Sequence, residues 1–307
     1  AFFGTKDTRE EDAIADALNA AVTLRMLVDE SIKPWMEAND FDSRDFGIRI
    51  GIDYGQADSV LWANYGYVTA GEVTATGLNI DMASKLQGQA GKNEIMLGQS
   101  LLEHVDWPTT YSNTKVVTKD KVRIEQPYVL KNITHRDGSS LNYSMQILDY
   151  QAFLKLSALP SVVRSTHCRV GDVIDHPGIT LEARTNDPSC PLKPYSSCTL
   201  YLDKHLVIEI DLTVNTEATH YAFPLNTKFT RVNSGSEASN DNMLAEDIQE
   251  HKIDRPKLRA FGQLADTLPK ATFARQTKYR GLHTVECEVK DANGQRLFRD
   301  WIGVLIQ

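Results

Sequence analysis

The sequence predicts an α+β fold class in two domains, a mixed α and β half followed by a β-rich half that closes as an antiparallel sandwich. Three observations predict it. A long apolar stripe at helical spacing opens the chain and is followed by alternating strands. Period-two segments dominate the second half. Around Leu154 to Ser161 the pattern loses its period and meets Pro160, which places the domain boundary there and gives domains 1–155 and 156–307. The 307 residues suffice for two cores of about 150 residues each.

Ala1-Phe2-Phe3-Gly4 reads as the end of a buried strand already under way, so the sequence is expected to start inside a domain. Asp7 or Thr8 can cap a helix whose first turn carries Glu10, Glu11 and Asp12, which complement the positive end of its dipole. Ala13, Ile14, Ala17, Leu18, Ala21, Leu24, Val28 and Ile32 then form one apolar stripe, and Pro34 is expected to stop it. Ile48, Ile50 and Ile52 alternate with Arg49, Gly51 and Asp53 as a half-buried strand, and Ala57 to Ala63 reads as its partner. Gly66 and Gly71 bracket a loop leading into a helix from about Gly77 to Ala90, with Ile80, Met82, Ala83 and Leu86 on its buried face. Glu94 to Leu97 reads as a strand, Gln99 to His104 as a short helix, and 116–150 as hairpins broken at Asp137-Gly138.

In the second half, Leu206, Ile208, Ile210, Leu212 and Val214 alternate with Val207, Glu209, Asp211 and Thr213, predicting one core face and one wet face. Thr284 to Val289 and Leu297 to Ile306 are joined through Asn293-Gly294, a strong hairpin signal.

Composition excludes several function classes. With 41% hydrophobic and 24% charged residues the chain is of ordinary globular type. A net charge of −8 and a pI near 5.5 argue against nucleic-acid or anionic-membrane surfaces, which need basic patches. No stretch approaches the ~20 apolar residues of a spanning helix, and no signal pattern opens the chain, so a cytoplasmic protein is expected. Cys168, Cys190, Cys198 and Cys287 form no close pair and read as reduced structural thiols; with His167 and His176, the irregular spacing of Cys190 and Cys198 does not make a metal motif.

The informative stretch is Arg49-Ile50-Gly51-Ile52-Asp53-Tyr54-Gly55, then Thr74-Ala75-Thr76-Gly77-Leu78-Asn79-Ile80-Asp81-Met82-Ala83-Ser84-Lys85-Leu86, then Ala90-Gly91-Lys92-Asn93-Glu94-Ile95. In order and spacing it resembles the class III adenylate and guanylate cyclase domain, over about residues 1–105. That resemblance implies a ferredoxin-like domain and a nucleoside triphosphate substrate. It also implies a divalent cofactor, Mn²⁺ or Mg²⁺ with two ions expected, and a homodimer that shares its active sites between two copies. The family's metal aspartates would lie upstream of residue 1. Its transition-state Asn aligns with Asp81 and its phosphate-binding Arg with Lys85, and its base-contacting position aligns with Thr74.

Both catalytic candidates, Asp81 and Lys85, are changed from the family pattern, yet four residues apart they share one helix face. Lys85 can neutralise triphosphate charge as a point charge, without the guanidinium fork. Asp81 needs a compensating charge and could accept from a ribose hydroxyl. A solvated Asp81-Lys85 pair accounts for the same spacing. Thr74 serves equally as a strand-end threonine. Asn79 is a substrate-binding candidate whose helical offset points elsewhere, and Asp53 reads as structural or interfacial. Arg49, with Trp62, Tyr65 and Tyr67, could line a base or phosphate pocket or simply stand on a surface or dimer interface.

In the second half, Phe229-Thr230-Arg231-Val232-Asn233-Ser234-Gly235-Ser236-Glu237-Ala238 and Tyr279-Arg280-Gly281-Leu282-His283-Thr284-Val285-Glu286-Cys287 resemble two elements of bacterial adenylyl/guanylyl and SMODS C-terminal sensor domains, over about residues 165–307. Such fusions occur in Pycsar anti-phage systems. The resemblance implies a cyclase making cyclic UMP or cyclic CMP that acts through a separate cyclic-nucleotide-activated effector. A purine cyclase in bacterial signalling, or a degenerate nucleotide-binding sensor, fits the same residues.

Overall fold

The computed structural model describes residues 3–4, 8–67, 70–130, 133–187, 190–216, 220–255 and 268–307. Ala1, Phe2 and Asp7, which carried the strand-end and cap expectations, lie outside the described residues, as does the side chain of Cys190. The chain divides into two compact units, Ala1–Phe153 and Leu154–Gln307.

In the first unit, helix α1 (Glu10–Leu27) begins without a side-chain cap, its acidic first turn in place. A π-helical turn (Val28–Ile32) and α2 (Lys33–Ala38) follow without a break. Pro34 therefore does not stop the helix. It directly follows the π-helical turn, whose wider winding accommodates the ring and the missing N–H. The buried stripe is Ile14, Ala15, Ala17, Leu18, Ala21, Val22, Met26 and Val28, while Leu24 and Ile32, expected in it, are exposed.

Strand β1 (Arg49–Ile52) leads to β2 (Leu61–Tyr67) and β3 (Ala70–Thr76), then helix α3 (Leu78–Gln89), β4 (Glu94–Gly98) and α4 (Gln99–His104). Four short strands, β5 (Ser112–Asn113), β6 (Val116–Lys119), β7 (Val122–Glu125) and β8 (Met145–Leu148), and helix α5 (Tyr150–Leu154) complete the succession. The central sheet has the order β1-β4-β8-β5, with β1 parallel to β4 and the other pairs antiparallel. The expected partner strand at 57–63 is instead a 3₁₀ turn (Ala57–Ser59) and the start of β2. Strand β2 pairs with β3, not with β1, and Gly66 and Gly71 face each other inside that hairpin rather than bracketing a loop. The reason is register: both hairpin strands are almost wholly exposed, so neither has a core face to bring to the sheet.

Helix α3 packs on β1 through Gly51, where a Cβ would run into the Ala83 carbonyl and the Gln87 amide. Replacing Gly51 with alanine is expected to destabilise the first unit by about 3 kcal/mol, because helix backbone cannot repack as a side chain does. Urea unfolding of that unit measures it.

The second unit opens with α6 (Ser161–His167) and builds two sheets. Its strands are β9 (Ile179–Asp187), β10 (Cys190–Tyr195), β11 (Tyr201–Leu202), β12 (Val207–Val214), β13 (Leu225–Val232), β14 (Asp247–Ile253), β15 (Lys270–Gln276), β16 (Gly281–Lys290) and β17 (Arg296–Ile306), with a short α7 (Ser236–Asn240) after β13. The sheet orders are β10-β9-β12-β15 and β11-β17-β16-β13-β14. They face each other across a core that includes Ile210, Leu212, Phe229, Phe273, Cys287 and Phe298. Phe229 and Phe273 stack across it at 5.5 Å. The hairpin at Asn293-Gly294 forms as expected, with Gly294 N–H donating to the Asp291 carbonyl. One detail of β12 differs: Asp211, expected on the wet face, is buried, because Arg184 and Lys270 cover it as ion pairs and Thr272 donates to it. Cys168, Cys198 and Cys287 are buried thiols.

Candidate functional site

The segment from β3 into α3 carries four of the predicted site residues, Thr74, Asn79, Asp81 and Lys85. Gly77 makes the turn between them at φ +152°, with its Cα so near the Ser59 carbonyl that a Cβ would meet it at 2.8 Å. Glycine is required there. Thr74 is exposed on β3, opposite Ala63. Met82 and Leu86 are buried, which fixes the rotation of α3 and turns Asp81 and Lys85, each one residue earlier, to the exposed and partly exposed side. The pair is one helical turn apart on an accessible face, an arrangement able to hold a polyhydroxylated anion by one cation and one acceptor.

Arg49 and Asn79 are placed on other elements or faces: Arg49 on β1 and Asn79 on another side of α3. Arg49 is exposed at the start of β1, roughly 13 Å along the strand from Asp53. Asn79 sits about 200° around the helix from Asp81, so its amide points inward. There it donates to the Tyr54 carbonyl, to Ser100 Oγ at 3.1 Å and to Asp53 Oδ2 at 3.3 Å. In this structure those bonds occupy its amide. Trp62, Tyr65 and Tyr67 stand on the exposed β2-β3 hairpin.

The Asn79 contacts belong to a network that the sequence did not announce. Tyr143 Oη donates to Asp53 Oδ2 at 2.6 Å and lies 2.7 Å from Ser100 Oγ, tying β1, α3, α4 and the segment before β8 to one point. Only Asp53 and Asn79 of this group fall within a readable motif; Ser100 and Tyr143 are brought in by the fold. Gly98 leaves the space that Asp53 Oδ1 fills. Burial raises the Asp53 carboxyl above its ordinary 3.8, against the lowering effect of the Tyr143 and Asn79 hydrogen bonds. The folded chain thus binds that proton more tightly than the unfolded chain does. The contribution of Asp53 to stability accordingly falls as pH rises from 3.8 through the raised value, then stays level. Asp53→Asn is expected to lack this decline, so the difference between variant and wild-type melting temperatures should change across that window and be constant above it.

Beside the outer edge of β1 lies a cavity of about 680 Å³, lined by Ile14, Ala17, Leu24, Ile52 and Ile80 among others. Among the described residues its charged lining is Glu10 and Asp53. Among the described residues no group of three or more His, Cys, Asp and Glu side chains gathers to hold a metal ion. His176 Nδ1 accepts from Gly178 N–H, and Cys198 packs beneath Gly303.

Among the described residues no helix is long and apolar enough to cross a membrane.

Residues 172–307 match the family model of the adenylyl/guanylyl and SMODS C-terminal sensor domain. Over its whole length the chain is 34% identical to a cytidylate cyclase of Escherichia coli, covering 67% of that protein. Over 99% of its length it is 27% identical to a cytidylate cyclase of Staphylococcus aureus, covering 66% of it. The chain therefore spans about two thirds of the length of these relatives. A solved structure of the adenylyl cyclase CyaB from P. aeruginosa aligns with 48% of this chain and 65% of its own at 19% identity, with a TM-score of 0.34.

Proposed function

The chain belongs to the cytidylate cyclase family, and on that premise we propose that it converts CTP or UTP to the 3′,5′-cyclic monophosphate and pyrophosphate. The observation that carries the reading is the 34% identity running through both units, sensor domain included. The α3 face supports it. In this reading Lys85 places its ammonium against the triphosphate, and Asp81 accepts a hydrogen bond from a ribose hydroxyl, its own charge offset by Lys85 one turn away. Thr74 presents a hydroxyl to the base edge; it can donate or accept, so it does not separate the two pyrimidines. Divalent ions, Mn²⁺ or Mg²⁺, would neutralise charge on the phosphates, with the residues named here acting on the rest of the substrate.

The homodimer fits the exposed hairpin. Leu61, Trp62, Tyr65, Tyr67 and Val73 are 51–86% exposed on β2 and β3, a patch of large apolar side chains that a second copy would cover. The product is proposed to act through a separate effector in anti-phage defence, with the C-terminal domain as the sensor of infection in the cytoplasm.

The test incubates full-length protein with Mn²⁺ and each of ATP, GTP, CTP and UTP separately, with products identified by mass spectrometry. A cyclic pyrimidine monophosphate is expected. Cyclic AMP or cyclic GMP alone would replace this reading with a purine cyclase, and no product under any nucleotide would leave a nucleotide-binding sensor.

A further inference from the structure

The two sequence elements that mark the sensor domain meet at one end of its sandwich. Asn233 Nδ2 donates to the Met243 carbonyl at 2.9 Å, Ser234 N–H to His283 Nδ1 at 3.3 Å, and Arg280 N–H to Glu237 Oε2 at 2.8 Å. His283 Nε2 lies 2.6 Å from the Tyr279 carbonyl and is the donor there, since Nδ1 accepts. This end is also where the inward layers change character. Along β13 the inward residues run Leu225, Thr227, Phe229, Arg231, and along β15 Ala271, Phe273, Arg275. Past the two stacked phenylalanines, both strands thus turn a guanidinium toward the space between the sheets. Their side chains are 18% and 32% exposed.

An inward-facing arginine is costly unless paired, and here two share one carboxylate. Asp247 Oδ2 accepts from Arg275 Nε at 2.8 Å and lies 3.2 Å from Arg231 Nη2; Asp247 Oδ1 lies 3.3 Å from Arg275 Nη2. Arg275 Nη1 is spent on Gln249 Oε1 and the Ala274 carbonyl. Arg231 Nε is buried and has no acceptor among the described residues. Lys278 stands at the rim, bonded to Tyr279 Oη and to Asp241. Burial, and after it the neighbouring Arg275, lower the Arg231 pKa against the opposing pull of Asp247.

The cleft they line holds about 30 Å³ above a floor of Ile208, Phe273, Val285, Val304 and Ile306. Both guanidiniums already hold one carboxylate, that of Asp247, and a ligand carboxylate matches the same planar fork. We propose that this cleft is the ligand site of the sensor domain, and that its ligand presents a carboxylate to Arg231 and Arg275. The carboxylate belongs either to a small organic acid or to the C-terminus of a peptide.

The test follows the Arg231 Nε–H resonance of the full chain by NMR. Acetate, inorganic phosphate, and a short alanine peptide with a free or an amidated C-terminus are added at constant ionic strength. Saturable shifts are expected with acetate and the free-acid peptide and not with the amidated one. Arg275→Gln should weaken acetate binding at least about tenfold. Asp247→Asn should strengthen it, because the internal competitor is gone; this variant also decides the matter should Arg275→Gln fail to fold. A free-acid peptide that binds more tightly than acetate assigns the site to a chain end, and equal affinities assign it to a small acid. The proposal is overturned if neither carboxylate gives a saturable shift, if phosphate binds more tightly than acetate, or if Asp247→Asn weakens acetate binding.

Discussion

Replacing Arg164 with alanine is expected to destabilise the second unit by about 3–5 kcal/mol, the cost of leaving a buried carboxylate without its partner. Arg164 and Asp300 side chains are each 5% exposed, joined at 2.8 and 3.0 Å through both oxygens. The guanidinium further donates to the carbonyls of Leu159 and Lys155, so it fastens the segment around α6 to strand β17. Burial raises the Asp300 carboxyl even with Arg164 opposing it. Without the arginine that value rises further, and the unit must either protonate Asp300 or hold a bare charge. The deficit should accordingly be smallest at acid pH and grow as pH rises through the raised value. For a unit of this size the melting temperature should drop by about 10 °C near neutrality. The double variant Arg164→Met, Asp300→Leu is expected to recover most of the loss, since removing both charges leaves nothing unpaired. If it melts as low as the single variant, the arginine's carbonyl bonds and not its charge carry the effect.

Neither partner of that pair could be read from the sequence. Arg164 lies in a stretch with no period, and Asp300 looks like the polar residue of an alternating strand. Their meeting depends on how the boundary segment folds back on β17. What was legible follows one rule, that a periodic pattern is visible when one face of an element meets one core. Helix α4 and strands β12, β16 and β17 were readable because each has such a face. The hairpin β2-β3 was misread because it stands clear of the sheet, exposed on both sides, and its apolar residues mark a surface. Pro34 misled for a related reason: the π-turn before it absorbs the proline, and a turn of that kind leaves no mark in hydropathy.

At the site the same limit holds. The spacing of Asp81 and Lys85 survives because it is a helix-face relation and needs no tertiary knowledge. Asn79 shares the motif in sequence but not the Asp81-Lys85 side of α3. Asn79 was drawn instead into a buried network with Asp53, whose other members, Ser100 and Tyr143, lie outside any pattern. In the second unit, Arg231 lies within a sequence motif, but its inward orientation follows from Phe229, two residues earlier, being core.

Under the proposed reaction, Lys85→Ala should lower kcat/KM for the preferred pyrimidine triphosphate by about 10²-fold, or about 2.7 kcal/mol of transition-state stabilisation. The fold should hardly notice. Lys85 is partly exposed on α3, and an exposed i,i+4 pair with Asp81 is worth only a few tenths of a kcal/mol. The two readings of this residue therefore differ in which quantity moves. As a charge placed against phosphate, Lys85 contributes to kinetics and not to melting. As half of a solvated helix pair, it contributes slightly to melting and not to kinetics. Lys85→Arg separates charge from shape: a point-charge role tolerates the change with a loss of less than about tenfold, since the positive charge is kept. Asp81→Asn adds the last discrimination. If Lys85 compensates Asp81 beside the substrate, neutralising Asp81 should partly relieve the defect of Lys85→Ala, a non-additive result that independent roles would not give. Unchanged kinetics in Lys85→Ala together with a lowered melting temperature would remove α3 from the proposed site.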